Sequence, residues 1–311
     1  MKRISLLLTL TILLGHWAFG QAPNSGGLPT TISPEVEAQL ERFEALTYAN
    51  YGDRKLELDL YRPKSAGSSE TLPAIVCIHG GGWWRGERRN HANLAKALAA
   101  KGYVAATITY RLSGEAPFPA QIHDCKAAVR FLRANAEKYG INPDKIGAIG
   151  LSAGGHLTAL LATSGGVEAL EGDGGNPDQS STIQAAVPLG AQTDFRRHHQ
   201  NIEKSPADPP GDKPNIWLQF MGARPSEAPE KWKLAAPITH LDADDPPIYF
   251  ITGEKDNETT HAGKFRKQMD ELEIPNGLKV IPGAPHAFPG RQKWFDEMLT
   301  ASLAWFDAQL K

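Results

Sequence analysis

Ser152, Asp256 and His286 are the residues of this sequence whose types and order could together perform nucleophilic acyl transfer. A serine hydroxyl is a poor nucleophile until a base takes its proton, and the base needs a carboxylate to hold its tautomer. Ser152 stands in Gly150-Leu151-Ser152-Ala153-Gly154, a G-x-S-x-G pattern. Where a strand reverses sharply into a helix, the turn residue is forced into a strained backbone and its close neighbours can carry no side chain. The apolar run through Ala148 and Ile149 predicts the strand, and the Ala/Leu-rich run from His156 to Thr163 predicts a buried helix after it. The backbone N–H of Ala153, at the helix start, then points at the oxyanion that forms when Ser152 attacks a carbonyl.

The partners should follow later strands, acid first and histidine second. Asp256 comes after the apolar run Ile248–Thr252, and His286 after the run that ends at Ile281. Glu254 and Asp194 are the competing carboxylates. His261, at a helix start, and the pair His198-His199, in a polar stretch, read as solvated surface histidines. The oxyanion needs further donors, and His79-Gly80-Gly81-Gly82-Trp83 follows the run Ala74–Ile78. Bare glycine N–H groups can approach a substrate closely, so Gly81 and Gly82 are assigned with Ala153 as donors. His79 reads as a structural hydrogen-bonder. Trp83, and Trp217 and Trp232 further on, are candidate walls of a substrate pocket. No His or Cys spacing calls for a metal, and the acidic Asp173–Asp178 loop lacks a calcium-loop pattern and reads as a turn.

These groups need strands to carry them. Leu56–Tyr61 alternates as a half-exposed antiparallel strand does, whereas Ala74–Ile78 and Val104–Ile108 are continuously apolar, as buried central strands are. Helices are predicted over Asn93–Ala100, over Pro119–Tyr139 ending at Gly140, over His261–Leu272 and over Trp294–Leu310. Strands are predicted at Ile183–Leu189, Ile248–Thr252 and Leu278–Ile281. The alternation implies an α/β fold: a mostly parallel sheet with helices on both faces. Residues 195–236, rich in proline and charge, read as a small irregular cap-like insertion.

The chain has 311 residues, 41% of them hydrophobic, and a net charge of −2. That composition supplies a core and shows no bias toward nucleic acid or membrane surfaces. Lys2 and Arg3 precede an apolar run from Ile4 to Leu14, with small residues at Ala18 and Gly20. Residues 1–20 therefore read as an export signal cut after Gly20, leaving no membrane segment in a periplasmic or secreted product. Residues 21–45 read as an arm or linker and 46–311 as one catalytic domain. Cys77 and Cys125, the two cysteines, sit in apolar runs and read as buried free thiols. No feature specifies an oligomeric state.

His79-Gly80-Gly81-Gly82-Trp83, Tyr110-Arg111-Leu112, the Phe118–Asp124 segment and Gly150–His156 together resemble the α/β-hydrolase superfamily. Within it the chain is similar to secreted bacterial esterases related to bifunctional acetylxylan and feruloyl esterases. The resemblance runs from about Leu46 to the C-terminus and departs in one place: Asn257-Glu258-Thr259-Thr260 follows Asp256 where relatives usually carry a valine–proline pair. It implies Ser152, Asp256 and His286 as triad and Gly81, Gly82 and Ala153 as oxyanion donors, with no cofactor. The expected reaction is hydrolysis of short-chain acyl esters, with a small ester or acylated carbohydrate as substrate. Two other readings stand beside it. An arylformamidase would share the H-G-G-x-W segment, and a binding protein could occupy a catalytically dead hydrolase fold.

Overall fold

The computed structural model describes residues 31–67, 70–207, 209 and 212–311. The expected export signal, and the start of the arm behind it, lie outside the described residues. The aliphatic runs of the sequence form the strands β1 (Leu40–Tyr51), β2 (Arg54–Pro63), β3 (Leu72–Ile78), β4 (Val104–Ile108), β5 (Ile141–Leu151), β6 (Ala185–Leu189), β7 (Ile248–Gly253) and β8 (Asn276–Ile281). They make one eight-stranded sheet in the order β1-β2-β4-β3-β5-β6-β7-β8. β2 pairs antiparallel with both β1 and β4, and every other pairing is parallel.

β3, β4 and β6 are buried along their whole length, as strands covered on both faces must be. Side chains alternate between the faces. In β3, Ala74, Val76 and Ile78 join the core packed by helices Ala120–Ala134 and Ala153–Thr163, while Ile75 and Cys77 join the core packed by helices Ala92–Ala99 and Gln292–Leu310. Each fully buried Ile or Leu contributes about 1.5–3 kcal/mol. Cys77 and Cys125 are buried and unpaired, and they lie in these two opposite cores.

The structure revises several boundaries. Residues 34–38 form a short helix capped by the Ser33 side chain, and β1 starts at Leu40, so the expected arm of 21–45 ends earlier. β1 is an edge strand with much of its length half-exposed, which left it little hydrophobic pattern to read. β2 is also more buried than its alternation suggested, because Arg88 covers Asp59 with an ion pair at 2.8 Å. The helix predicted over Pro119–Tyr139 breaks at Asn135 into Ala120–Ala134 and Ala136–Tyr139, and Gly140 ends it in a left-handed conformation. The insertion 195–236 is only partly irregular. It folds as a 3-10 turn at Phe195–His198 and short helices His199–Lys204, Ile216–Met221 and Pro229–Leu234. Pieces of four to six residues are too short to show a helical stripe in sequence.

Two sequence segments beside the sheet are explained by one buried ion pair. Asp124 is fully buried and accepts from the Arg111 side chain at 2.7 Å and from its backbone N–H at 2.7 Å. Gln121 donates to the Arg111 and Ala116 carbonyls at 3.0 and 2.7 Å. The neighbouring Tyr110 hydroxyl donates to the His79 carbonyl at 3.0 Å, which ties this cluster to the start of the glycine loop after β3.

Candidate active site

Ser152 sits between β5 and helix Ala153–Thr163 with φ 58° and ψ −115°, a backbone that L-residues adopt only under strain. Two observations show what holds it there. The Ser152 N–H donates to the Leu189 carbonyl at 2.8 Å. A side chain at Gly150 or Gly154 would collide with the backbone of the turn or of the β3 end. The sharp turn lifts the serine hydroxyl off the sheet toward the loops that follow β7 and β8.

His286 lies in the loop after β8. Its Nε2 is 2.8 Å from Ser152 Oγ, and its Nδ1 is 2.7 Å from Asp256 Oδ2. An ionised carboxylate only accepts, so Nδ1 carries the hydrogen and Nε2 presents a lone pair to the serine hydroxyl. Asp256 is nearly buried, at 5% side-chain exposure, while His286 is open at 46%. Burial pushes the Asp256 carboxyl up, but hydrogen bonds from His286, the Asn257 N–H and the Thr252 hydroxyl hold it below the usual carboxylate range. The structure thus brings together the three residues singled out in sequence.

The competing groups lie elsewhere. Glu254 accepts from the Gly283 N–H at 2.7 Å and laces the acid loop to the histidine loop. Asp194 is engaged by Arg196 at 2.7 Å. His198 bonds Gln192, His199 packs edge-on against Trp232, and His261 closes a 3-10 turn. The Asn257 that replaces the expected valine keeps the acid in place. Its N–H donates to Asp256 Oδ1 at 2.7 Å, and its side chain caps the Thr259 N–H at 2.9 Å.

The glycine loop after β3 runs beside the serine: a Cβ on Gly80 would lie 3.4 Å from Ser152 Cβ. Gly81 and Gly82 have φ of 119° and 60°. Neither donates a backbone hydrogen bond among the described residues. Ala153, as the first helical residue, has no intrahelical acceptor for its N–H either. Bare donors of this kind, next to a nucleophile, can receive the charge of a tetrahedral intermediate.

Of the three aromatic residues expected as pocket walls, two are buried in the packing of the insertion. Trp83 is 3% exposed and Trp232 fully buried. Trp83 stacks on Phe220 at 4.3 Å and meets Trp217 at 5.2 Å; Trp232 donates its indole N–H to the Ala223 carbonyl. Trp217, half-buried, packs between His198 and Trp83. The insertion had to be anchored on something, and the aromatic side chains are its core.

Sequence reasoning missed two residues here. His156 is fully buried and accepts from the Trp83 indole N–H at 3.2 Å while its Nε2–H donates to the Ala235 carbonyl at 2.7 Å. It fastens the glycine loop after β3, the serine helix and the insertion to one another. Gly190, just past β6, lies under the His286–Asp256 pair: a Cβ there would be 3.2 Å from the imidazole and 3.1 Å from the carboxylate. The Gly-Gly-His sequence after Ser152 hinted at the first; nothing local hinted at the second.

Comparison with known proteins adds a family. The BD-FAE family model matches residues 58–265. A probable carboxylic ester hydrolase of Mycobacterium tuberculosis, LipM, is 29% identical over 89% of this chain. The chain spans 64% of that relative's length. Among solved structures, a truncated carbohydrate esterase from gut microbiota is 28% identical with a TM-score of 0.70, covering 91% of this chain and 99% of its own. A thermophilic esterase of Thermogutta terrifontis, solved with propionate bound, is 25% identical with a TM-score of 0.70, covering 88% of this chain and 96% of its own. The eight-stranded, mostly parallel sheet and these neighbours identify the α/β-hydrolase fold.

Proposed function

This chain belongs to the BD-FAE family, and from that premise we propose that it is a serine carboxylesterase acting on short-chain acyl esters. The observation that carries the reading is the continuous chain of contacts from Ser152 Oγ to His286 Nε2 at 2.8 Å and from His286 Nδ1 to Asp256 at 2.7 Å.

In this reading Ser152 Oγ attacks the ester carbonyl as His286 Nε2 takes its proton. The N–H groups of Gly81, Gly82 and Ala153 stabilise the oxyanion. His286, now an imidazolium steadied by the Asp256 carboxylate, returns the proton to the leaving alcohol. An acyl-enzyme remains. Water then attacks it with His286 again as base, which frees the carboxylic acid and restores Ser152. Apart from that water, each step uses side chains and N–H groups of the chain itself.

The substrate we propose is an acetyl or similarly short ester of a carbohydrate or aryl alcohol, such as acetylated or feruloylated plant polysaccharide. Support comes from the likeness to a carbohydrate esterase and to an esterase solved with propionate. It comes also from the insertion, whose short helices offer no long apolar stripe of the sort that meets a lipid surface. Export through residues 1–20 belongs to the same proposal and is checked by sequencing the N-terminus of the mature protein. The deciding experiment compares kcat/KM for acetyl, octanoyl and feruloyl esters and for N-formylkynurenine, alongside acetate release from acetylated xylan. Preference for octanoyl chains with no release from polysaccharide would leave a general esterase, and faster turnover of the formamide would replace ester by amide chemistry.

A further inference from the structure

Asp256 has to orient His286 with little help from packing, because the imidazole is open at 46% side-chain exposure. What holds Asp256 in turn includes a pair of threonines. Thr252 lies near the end of β7 and Thr260 in the 3-10 turn Glu258–His261, and both are buried, at 0% and 1% exposure. Their Oγ1 atoms are 2.7 Å apart, and Thr252 Oγ1 is 3.3 Å from Asp256 Oδ2. Oδ2 is the oxygen that accepts from His286 Nδ1 at 2.7 Å, while Oδ1 accepts from the Asn257 N–H at 2.7 Å. The carboxylate is gripped at both oxygens, so any rotation of it loosens a bond at one of them.

The two hydroxyls carry one hydrogen each, and three contacts compete for them: Thr252 with Asp256, Thr252 with Thr260, and Thr260 with the Asn257 carbonyl at 2.7 Å. A carboxylate and a carbonyl only accept, so two hydrogens cannot serve all three. The Asn257 carbonyl is already served by the Thr260 N–H at 2.9 Å. A hydrogen bond to an ionised acceptor is about twice as strong as one between neutral groups. The order that satisfies the charge therefore runs from the Thr260 O–H to Thr252 Oγ1, and from the Thr252 O–H to Asp256 Oδ2. Neither buried hydroxyl then lacks an acceptor, and an unmade bond there would be costly. At 3.3 Å the last bond is long for a hydroxyl donor, and such bonds around an acid–base pair tighten once substrate is bound.

We propose that Thr252 and Thr260 are positioning residues for the candidate acid: their hydroxyls, linked in series, hold Asp256 Oδ2 where it turns His286 toward Ser152. The inference rests on the esterase reading above. The pair also ties the turn that follows the acid to the end of β7, so that strand and loop keep one geometry.

The test is a double-mutant cycle on p-nitrophenyl acetate, with Thr252→Val, Thr252→Ser and Thr260→Val each made in wild type and in Asp256→Asn. Thr252→Val should lower kcat about 5- to 30-fold and leave KM within about 2-fold, and Thr252→Ser, which keeps the hydroxyl, should recover most of that loss. Thr260→Val leaves Thr252 its own hydrogen and should cost about 2- to 5-fold in kcat. In Asp256→Asn, none of the three should cost more than about 2-fold further, because each acts through the carboxylate. Equal losses in both backgrounds, an unchanged kcat in Thr252→Val, or a Ser variant as impaired as the Val variant would overturn the proposal. Should Thr252→Val not fold by circular dichroism, Thr260→Val decides, since it alters a turn rather than the sheet: an unchanged kcat, or the same loss beside Asp256→Asn, overturns the pair. Wild-type kcat in Asp256→Asn would remove the triad reading itself, whereas a silent Thr252→Val beside a costly Asp256→Asn removes the pair alone.

Discussion

Gly190 and His286 are in contact across the end of the sheet, and a methyl group would fit only if the imidazole gave way by a few tenths of an ångström. A Cβ on Gly190 would stand 3.2 Å from His286 Cε1 and Nδ1, and the residue's φ of 54° disfavours a side chain as well. The imidazole, open to solvent on its other side, is the part free to move. Gly190→Ala should therefore swing His286 away from Ser152. The imidazole need give by only a few tenths of an ångström, less than the misplacement near 1 Å that costs about 10²-fold in rate, so kcat should fall by up to about tenfold with KM little changed. Steady-state kinetics on p-nitrophenyl acetate check this; a kcat equal to wild type would show that the contact has no bearing on the histidine.

Removal of the proposed nucleophile should be the most severe single change. Ser152→Ala is expected to lose on the order of 10⁶ in kcat while its circular dichroism stays native. Asp256→Asn should lose about 10⁴-fold, because the amide favours the wrong imidazole tautomer. Glu254, occupied by the Gly283 N–H, should tolerate Gln with a far smaller loss. The reverse ranking of Asp256→Asn and Glu254→Gln would move the acid role to Glu254.

Trp83 follows Gly81 and Gly82 with a positive φ of 61°, and it is held in that strained state by its indole bond to His156 and by its stack on Phe220. Trp83→Phe keeps the ring stack and removes the donor, which leaves His156 Nδ1 buried without a partner. The expected cost is about 1–3 kcal/mol of stability. Loosening of the loop should also lower kcat more than it raises KM. Chemical denaturation and kinetics on the same preparation test both; unchanged stability would mean that the indole bond contributes nothing.

Acid should destabilise the fold through three buried histidines. Burial pushes His79 and His156 down to about 4 and His91 down to about 3, with His79 also disfavouring charge on His91. Unfolded histidine titrates near 6.5. Between that value and the folded ones the unfolded chain binds protons that the native chain does not. The stability is therefore complete above about pH 6.5 and is lost as pH falls toward 4, by up to a few kcal/mol per group. Thermal unfolding of wild type and His156→Gln at pH 7 and pH 4.5 checks the sign. The gap in Tm should narrow at pH 4.5, and a gap that stays constant would contradict the assignment.

Much of the site was readable before any coordinates. Ser152, Asp256 and His286 stand next to local signals, a glycine-flanked turn and the ends of two apolar runs, because catalytic groups on a parallel sheet must follow strands. The central strands were readable for a related reason: burial on both faces leaves continuous aliphatic runs at Ala74–Ile78 and Val104–Ile108. β1 was not, since an edge strand with half-exposed faces shows no comparable pattern.

The tryptophans mark the other limit. Composition and position make Trp83 and Trp232 available equally to a pocket or to a core, and only packing against Phe220, Phe195 and His156 assigned them to a core. Gly190 was invisible for the same cause. Local sequence carries the conformational preferences of adjacent residues, and so it determined the turn at Ser152, the strands and the order of the candidate triad. Which surfaces meet and what they bury depend on segments about 60 residues apart, such as β6 and β7 with their loops, being brought side by side; that the tertiary structure alone decided.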